Sequence, residues 1–367
     1  MNLAISGMGW VTPLGGAIEE VWQCLLNGDK AVAETISSPL SDRTYQVYRV
    51  PPVAIAKAPA HPRLRRSSAI SRFAVVAGLA ALEDAEVKID STAAERMALI
   101  FAISNGGVVY TKRFYHEIVE SGAQAASPLL FPETVFNASA SHLAAILGIT
   151  GASYTLVGDG AVGLLALKMA EDLMQNPALN RCLVVGAEEA DWLLCDAYRK
   201  WRLLPPGQPI RPSQTRSSGM ILSEGAGAIL IERTGATRLE KIDAGGNFRR
   251  QRDAATCVSE VLSRIGARND DLIIASANGT FIDAAEKFAI GEHCPQARIY
   301  PPKISLGESV GASSLWQIIC GAQALRTGQL PPLADLAPSQ ARSSVNRVVV
   351  SACGLNQQVA GLLLVRA

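Results

Sequence analysis

The sequence predicts an α/β fold in which helices cover largely parallel β-sheets on both faces. Short apolar runs rich in β-branched residues alternate with helical segments along the chain, and strands buried on both faces are typical of parallel sheets. The alternation occurs twice, in residues 1–235 and more briefly in residues 236–367, so we predict an internal duplication into two halves. With 49% hydrophobic residues in a chain of 367, apolar side chains suffice for a large core.

Each predicted element of the first half has a local signal. Short apolar runs predict strands at residues 3–6, 98–104, 154–157, 182–187 and 225–232. Two longer segments rich in Ala and Leu, residues 72–87 and 161–173, are predicted helices. The second helix is apolar over most of its surface, so we expect it to be buried.

The second half repeats the alternation with fewer residues. Its strands are predicted at residues 242–246, 272–277, 347–352 and 359–365, and its helices at residues 254–265 and 312–325. Two polar, Pro-rich segments of the first half, residues 38–71 and 199–218, are predicted to be loops or insertions rather than linkers between domains.

Composition limits the classes of function. The formal net charge is +1, so no global field attracts nucleic acid or a membrane. No run approaches the ~18 apolar residues of a membrane-spanning helix, and the N-terminal residues predict a buried strand rather than a signal peptide. The seven cysteines are scattered without a CxxC pair or a set of zinc ligands. We therefore expect a reduced cytoplasmic protein that holds no metal.

Residues 154–173 predict a strand, a sharp turn and a helix. Many α/β enzymes hold a nucleophile at such an elbow, because the helix N-terminus stabilises a developing anion. Here the turn consists of Gly158, Asp159 and Gly160, followed by Ala161 and Val162. The elbow therefore has no hydroxyl or thiol nucleophile.

Motifs along nearly the whole chain resemble those of the β-ketoacyl synthases, the condensing enzymes of fatty acid and polyketide synthesis. The opening "ISGMGWVTPLGG" is similar to the family's "TGMGxVxPLG", and "VVGAEEA" to "AGGxE". The most specific match is "RPSQTRSSGMILSEGAGAILIER", which resembles "RPFDxxRxGFVxGEGAGxLVLE". Further along, "SANGT", followed by Asp283 and Glu286, parallels "AHGTxT…DxxE". The segments "PPKISLGESVGAS" and "SACGLNQQVAGLLLV" parallel "KSxxGHxxGA" and "SFGFGGxNxxLVL". The resemblance implies a thiolase-like, internally duplicated α-β-α-β-α layered fold with two mixed, largely parallel sheets.

The resemblance also implies that the catalytic positions are degenerate. Gly160 stands where the family has its nucleophilic Cys, Asn278 replaces the first catalytic His, and Glu308 replaces the second. Lys303 retains the Lys of the "KS" motif, and Leu355 stands in place of the gating Phe. No catalytic residue set is therefore intact.

These replacements argue against condensation. Claisen condensation needs a thiolate to hold the acyl chain as a thioester, and glycine at position 160 has no atom to acylate. It also needs donors for the enolate oxygen, each worth about 10²–10³ in rate. Asn278 retains an N–H donor, whereas an ionised Glu308 places negative charge where an anion must form. A decarboxylase role is disfavoured for the same reason.

Two interpretations of the remaining polar residues stay open. In this fold we expect five polar residues to lie near one another, namely Asp159, Asn278, Glu308, Lys303 and Cys353. They are predicted to form a structural network in which Glu308 and Lys303 pair and Asn278 bridges to either. The alternative is an enzyme with altered acyl-thioester chemistry, an acyltransferase or thioesterase, that uses Cys353 or the pair of Asp159 and Glu308.

The preferred interpretation is a partner role. In type II polyketide systems a catalytic subunit pairs with a similar subunit that lacks the Cys, the chain-length factor, and the resemblance implies such a heterodimer here. By position, Leu130, Phe131 and Thr134 would border the partner's acyl tunnel. The dimer contact implied by the family is the strand before the elbow, made of Ser153, Tyr154, Thr155, Leu156 and Val157.

The expected partners follow from this interpretation. They are a catalytically competent ketosynthase subunit and an acyl carrier protein that acts through that subunit, with no nucleic acid, membrane or cofactor. General likeness suggests a bacterial reducing pathway such as aryl polyene synthesis.

Overall fold

The structure is a computed structural model that describes residues 3–205, 219–332 and 345–367. Its strands are β1 (Leu3–Val11), β2 (Ala33–Ser37), β3 (Thr44–Tyr48), β4 (Met97–Ile103), β5 (Ser153–Val157), β6 (Arg181–Glu188), β7 (Leu222–Ser223), β8 (Gly225–Glu232), β9 (Thr237–Asn247), β10 (Leu272–Ile274), β11 (Arg298–Tyr300), β12 (Arg347–Cys353) and β13 (Gln358–Arg366). All the strands predicted from apolar runs are present, with ends shifted by a few residues.

The helices of the described residues are α1 (Ile18–Asn27), α2 (Ala69–Asp84), α3 (Ser91–Glu95), α4 (Val108–Ser121), α5 (Ala138–Leu147), α6 (Val162–Leu173), α7 (Trp192–Lys200), α8 (Ala254–Ile265), α9 (Phe281–His293), α10 (Lys303–Leu306) and α11 (Ser313–Thr327). The four predicted helices correspond to α2, α6, α8 and α11. Within the described ranges, no helix combines the length and the apolar character needed to cross a membrane.

Strand order confirms the predicted internal duplication. From its outer edge inward, the first half reads β5, β4, β6, β8, β1, and the second half reads β11, β10, β12, β13, β9. In each half the two outer pairings are parallel and the two inner pairings are antiparallel. The division near residue 235 stays a prediction, and it falls between the end of β8 and the start of β9.

The two halves meet in one continuous sheet. Leu3, Ala4 and Ile5 of β1 pair with β9, and this short contact joins the predicted two sheets into a ten-stranded one. The α/β fold class is confirmed, whereas the pairings of this sheet are more evenly mixed than the sequence suggests. Apolar runs report that a strand is buried on both faces, and they do not report its direction.

Helices α6 and α11 pack against each other inside the fold. Every residue of α11 from Ser313 to Leu325 is buried. A Cβ at Gly163 of α6 would lie 2.6 Å from Ser314 Oγ, so glycine permits this close approach. The apolar surface predicted for the helix after the elbow is thus used against another buried helix.

One of the two predicted loops contains regular structure. Residues 38–71 include β3, which joins β2 and β7 in a three-stranded sheet, and they reach into α2. The prediction of a loop was wrong there because flanking prolines outweighed the period-two signal of β3, in which Tyr45 and Val47 are buried and Thr44 and Gln46 are exposed. In the second predicted loop, residues 199 and 200 end α7, and residues 206–218, with part of the most specific motif, lie outside the described residues.

Candidate functional site

The elbow connects the C-terminal end of β5 to the N-terminus of α6. Val162 N donates to Asp159 O at 2.7 Å, which closes the turn just before the helix. Gly160 is buried, and a Cβ built there would meet Gly354 Cα at 3.3 Å. Position 160 therefore has space for a small side chain after a slight adjustment, but it carries no reacting atom.

The carboxylate of Asp159 lies beside the elbow and accepts four backbone hydrogen bonds. Its Oδ1 accepts from Gly160 N at 2.7 Å and Leu355 N at 2.9 Å. Its Oδ2 accepts from Asn356 N at 2.8 Å and Gln357 N at 3.2 Å. The loop at the gating position is thus tied to the elbow through one side chain.

Asn278, Lys303 and Glu308 form a second, separate cluster. Asn278 Nδ2 donates to Glu308 Oε2 at 2.7 Å, and Lys303 Nζ lies 2.8 Å from the same oxygen. All three side chains are almost completely buried. The ion pair and the bridging amide predicted from the sequence are both present.

Backbone contacts hold Asn278 in this position. Its side-chain Oδ1 accepts from Thr280 Oγ1 at 2.6 Å, and Thr280 caps the N-terminus of α9. Asp283 in the first turn of α9 accepts from the backbone N–H groups of Asn278 and Gly279. The "SANGT" segment and Asp283, noted in the sequence, therefore act together to orient one amide.

Glu308 accepts a hydrogen bond from each of the two neighbouring side chains. The amide of Asn278 and the ammonium of Lys303 both point at Glu308 rather than at open space. Glu308 Oε1 is buried and has no hydrogen-bond partner among the described residues. A buried acceptor at this position opposes an enolate oxygen instead of stabilising it.

Cys353 lies next to this cluster but is not activated. Burial, with a further contribution from Glu286, raises the pKa of the Cys353 thiol well above its usual value. Its sulfur makes a 3.8 Å contact to Gly354 O, and its backbone N donates to Ser276 Oγ. A protonated, buried thiol is a poor nucleophile, which argues against the alternative role for Cys353.

A buried network around Glu286 was not foreseen as a unit. Glu286 Oε1 accepts from Ser276 N at 3.0 Å and Ser351 Oγ at 2.6 Å. Gln317 on α11 donates to Ser351 O at 2.9 Å. Burial raises the pKa of Glu286 to about 7. These polar groups connect α9, α11, β12 and the segment after β10. Although Ser276, Glu286 and Ser351 all lie in motifs, the motifs did not indicate that they bond to one another.

A surface cavity of about 700 Å³ opens on the outer side of the elbow. Its lining includes Asp159, Tyr198, Trp201, Arg249 and Leu355. Asn278, Lys303 and Glu308 are not among the residues that line it. Asp159 and residues 355–357 of the loop that it binds all line this cavity.

The proposed dimer strand is the outermost strand of the first half. β5 pairs with β4 on one side and ends the sheet order on the other. Tyr154 and Val157 are 43% and 51% exposed, Ser153 is exposed, and Thr155 and Leu156 are half-buried.

The three predicted tunnel residues lie in a short turn near α4. Leu130 is buried, Phe131 is exposed, and Thr134 is half-buried with its hydroxyl donating to Phe131 O at 2.8 Å. The Phe131 ring lies 5.8 Å from that of Phe114 on α4. The exposed Phe131 side chain is therefore available for contact with another chain.

Among the residues that the structure describes, no three His, Cys, Asp or Glu side chains come together in a group that could hold a metal ion.

Sequence comparison identifies the family. A family model for the N-terminal domain of β-ketoacyl synthases matches residues 2–236. The 3-oxoacyl-[acyl-carrier-protein] synthase 2 of Coxiella burnetii is 23% identical over 368 residues, which cover 91% of this chain and 88% of that protein.

Comparison with solved structures gives the same fold. The ishigamide ketosynthase/chain length factor has a TM-score of 0.85 at 20% identity, covering 100% of this chain and 99% of that chain. A structure of a ketosynthase in complex with its chain length factor from Xenorhabdus doucetiae has a TM-score of 0.80 at 18% identity, covering 100% and 98% of the two chains. The thiolase-like fold is therefore confirmed, and the chain belongs to the β-ketoacyl synthase family.

Proposed function

We propose that this chain is a non-catalytic, chain-length-factor-like partner of an active β-ketoacyl-acyl carrier protein synthase in fatty acid or polyketide synthesis. It stabilises the heterodimer and shapes the acyl tunnel. The observation that carries the proposal is the elbow at Gly160, where a family member has no side-chain atom to acylate. A partner must then supply the thiol.

The buried cluster supports the same conclusion. Condensation needs donors directed at a developing enolate. Here Asn278 and Lys303 each direct one donor at the buried Glu308 carboxylate. A buried ion pair at this position is suited to a structural role rather than to stabilising an enolate.

The open edge of β5 supports the choice of partner surface. An edge strand presents unpaired backbone groups and is a template for pairing with another chain. Tyr154 and Val157 add exposed apolar surface there. We propose that β5 pairs with the corresponding strand of the catalytic subunit, which would make the two sheets continuous across the dimer.

Two solved structures of similar fold fit this arrangement. One is a ketosynthase in complex with its chain length factor, and the other is a type II acyl carrier protein in complex with its ketosynthase. For this chain we propose a carrier protein that delivers substrate through the catalytic partner. The aryl polyene pathway is a finer proposal that rests on general resemblance.

Co-expression tests the partner role directly. The tagged chain is expressed with each cysteine-bearing β-ketoacyl synthase of the same genome, and complexes are measured by size exclusion and native mass spectrometry. We expect a one-to-one complex with one of them. A stable homodimer that binds none of these synthases and condenses substrates alone would refute the proposal.

An acylation assay tests the proposal that this chain is non-catalytic. The purified chain is incubated with an acyl carrier protein thioester, and its intact mass is measured. We expect no mass increase, because Gly160 has no thiol and the Cys353 thiol stays protonated. A stable acyl adduct on this chain alone would instead support the acyltransferase or thioesterase alternative.

A further inference from the structure

Two backbone N–H groups converge on one point at the elbow. Gly160 N, just before α6, and Leu355 N, on the loop after β12, donate to the same carboxylate oxygen of Asp159 at 2.7 and 2.9 Å. Paired N–H groups at a helix N-terminus form the arrangement that stabilises an oxyanion next to an attacking nucleophile. Here the anion that occupies the pair is part of the chain.

We infer that the Asp159 carboxylate is a built-in occupant of this anion-binding pair and bars acyl thioesters from the elbow. The barrier acts in addition to the missing thiol at Gly160. The inference deepens the proposed non-catalytic role and rests on it, but it concerns the elbow and not the contact with a partner.

The surrounding residues are matched to the carboxylate. Asp159 Oδ2 accepts from Asn356 N and Gln357 N. A Cβ at Gly354 would lie 2.1 Å from Oδ2, so the carboxylate fits only against a glycine. The side-chain Oε1 of Gln358 accepts from Asp159 N at 3.1 Å. The loop is therefore shaped around Asp159.

The position of Asp159 places it in the path of a substrate. Asp159 and Leu355 both line the 700 Å³ cavity that opens to solvent. A thioester that enters this cavity meets a carboxylate where its carbonyl oxygen would need two donors. Negative charge at that point disfavours the oxyanion formed on attack.

A pair of variants separates the carboxylate from the missing thiol. The Gly160→Cys variant supplies a thiol and keeps Asp159, whereas the Asp159→Ala/Gly160→Cys variant supplies the thiol and vacates the N–H pair. Each is incubated with hexanoyl-N-acetylcysteamine, and acylation is followed by intact mass. In this step the new thiolate attacks the thioester carbonyl, the oxyanion collapses, and N-acetylcysteamine leaves as the thiolate and takes up a proton.

We expect acylation of the double variant to be at least about 100-fold faster than that of Gly160→Cys, since one oxyanion donor alone is worth about 10²–10³ in rate. The matched control is Gln358→Ala/Gly160→Cys, which removes a different hydrogen bond to the same turn and keeps the carboxylate. We expect this control to react as slowly as Gly160→Cys.

Several results would overturn the inference. Equal acylation rates in the presence and absence of Asp159 would show that the carboxylate is no barrier. Absence of acylation in a double variant whose new thiol iodoacetamide alkylates would show the same, because removal of Asp159 would then not have opened the elbow. If iodoacetamide does not alkylate the thiol, the hydrogen-exchange measurement below decides the question.

A second measurement tests the inference even if the Gly160 variants do not fold. In Asp159→Ala alone, hydrogen exchange of the Leu355, Asn356 and Gln357 amides should accelerate at least about tenfold, because their acceptor is gone. Unchanged exchange would overturn the inference. Binding to a condensing subunit is measured separately, so failure of the partner proposal and failure of the Asp159 inference give different results.

Discussion

Lys303 Nζ lies 2.8 Å from Glu308 Oε2, and the two side chains are 2% and 1% exposed. Removing one member of such a pair leaves the other charge buried without compensation. Removing both leaves no charge to stabilise. The relationship therefore predicts strong coupling between substitutions at the two positions.

The Lys303→Met variant should lose about 3–5 kcal/mol of unfolding free energy because it leaves the Glu308 carboxylate unpaired. Lys303→Met/Glu308→Leu should recover most of that loss. Urea unfolding followed by circular dichroism measures both.

The exposed pair of Arg113 and Glu117, one helical turn apart on α4 with an N–O distance of 3.3 Å, supplies the control. Arg113→Ala should change the unfolding free energy by less than about 1 kcal/mol. Equal losses in the single and double variants of the buried pair would contradict the predicted coupling.

Glu286 should make stability depend on pH. Burial raises the pKa of Glu286 to about 7 from an ordinary value of 4.5. The contribution of Glu286 to the free energy of unfolding is therefore fully present below pH 4.5, where its carboxyl is protonated in both the folded and the unfolded chain. That contribution is lost as pH rises through about 7. Glu286→Gln cannot ionise, so its stability relative to the wild type should rise by about 2 kcal/mol between pH 5 and pH 8.

Urea midpoints at several pH values measure this difference. Glu19→Gln, at an exposed position on α1, is the matched control and should follow the wild type. A difference for Glu286→Gln that is constant or falls with pH would show that the carboxyl is ionised in the folded protein.

Much of this architecture could be predicted because local patterns and motif order report it. Apolar runs located every strand of the ten-stranded sheet except β11, and the ordered motifs located Gly160, Asn278, Lys303 and Glu308. The predicted pairing of Lys303 with Glu308 followed from two opposite charges five residues apart in one motif. The burial of this ion pair, and the Glu308 oxygen to which Asn278 also bonds, could be seen only in the structure.

The role of Asp159 could not be predicted in the same way. Its partners, Leu355 to Gln357, are almost 200 residues away in sequence, and their contact is made by backbone N–H groups that leave no residue-type signal. The sequence interpretation placed Asp159 with Glu308 in a possible new site. The structure shows Asp159 bonded instead to the elbow and the gating loop.

Edge pairing of β5 predicts the effect of one proline. Ala152 O and Gly158 N both bond to β4. Because the backbone N–H and C=O groups of successive residues in a strand point to opposite sides, Thr155 N–H faces the open edge. Thr155→Pro removes that donor without breaking a bond to β4. We expect the variant to fold but to lose co-purification with the condensing subunit.

The opposite edge of the same sheet supplies a matched control. Arg298 N and Tyr300 O bond toward β10 and its flanking residues, so Ile299 N–H faces outward on β11. Ile299→Pro should leave the complex intact. If both proline variants bind the partner as well as the wild type does, β5 is not the interface.

Phe131 should influence product length in the complex. Its ring is 55% exposed beside Phe114. In the proposed heterodimer, a smaller side chain there would leave more room at the end of the partner's tunnel. Phe131→Ala should shift the products of the reconstituted complex to longer chains, as measured by mass spectrometry. Phe288→Ala on α9, where the ring is 56% exposed, is the matched control and should leave the products unchanged.

Restoring the thiol should not restore condensation. Gly160→Cys replaces the missing nucleophile, but Glu308 and Asn278 still fill the region where an enolate would need donors. Even the acylation-competent Asp159→Ala/Gly160→Cys variant should therefore stop at the acyl-enzyme. The assay supplies acyl and malonyl thioesters of an acyl carrier protein to the chain alone and measures the β-ketoacyl product. A β-ketoacyl product formed by either variant would show that condensation on this chain does not need the two histidines of the family.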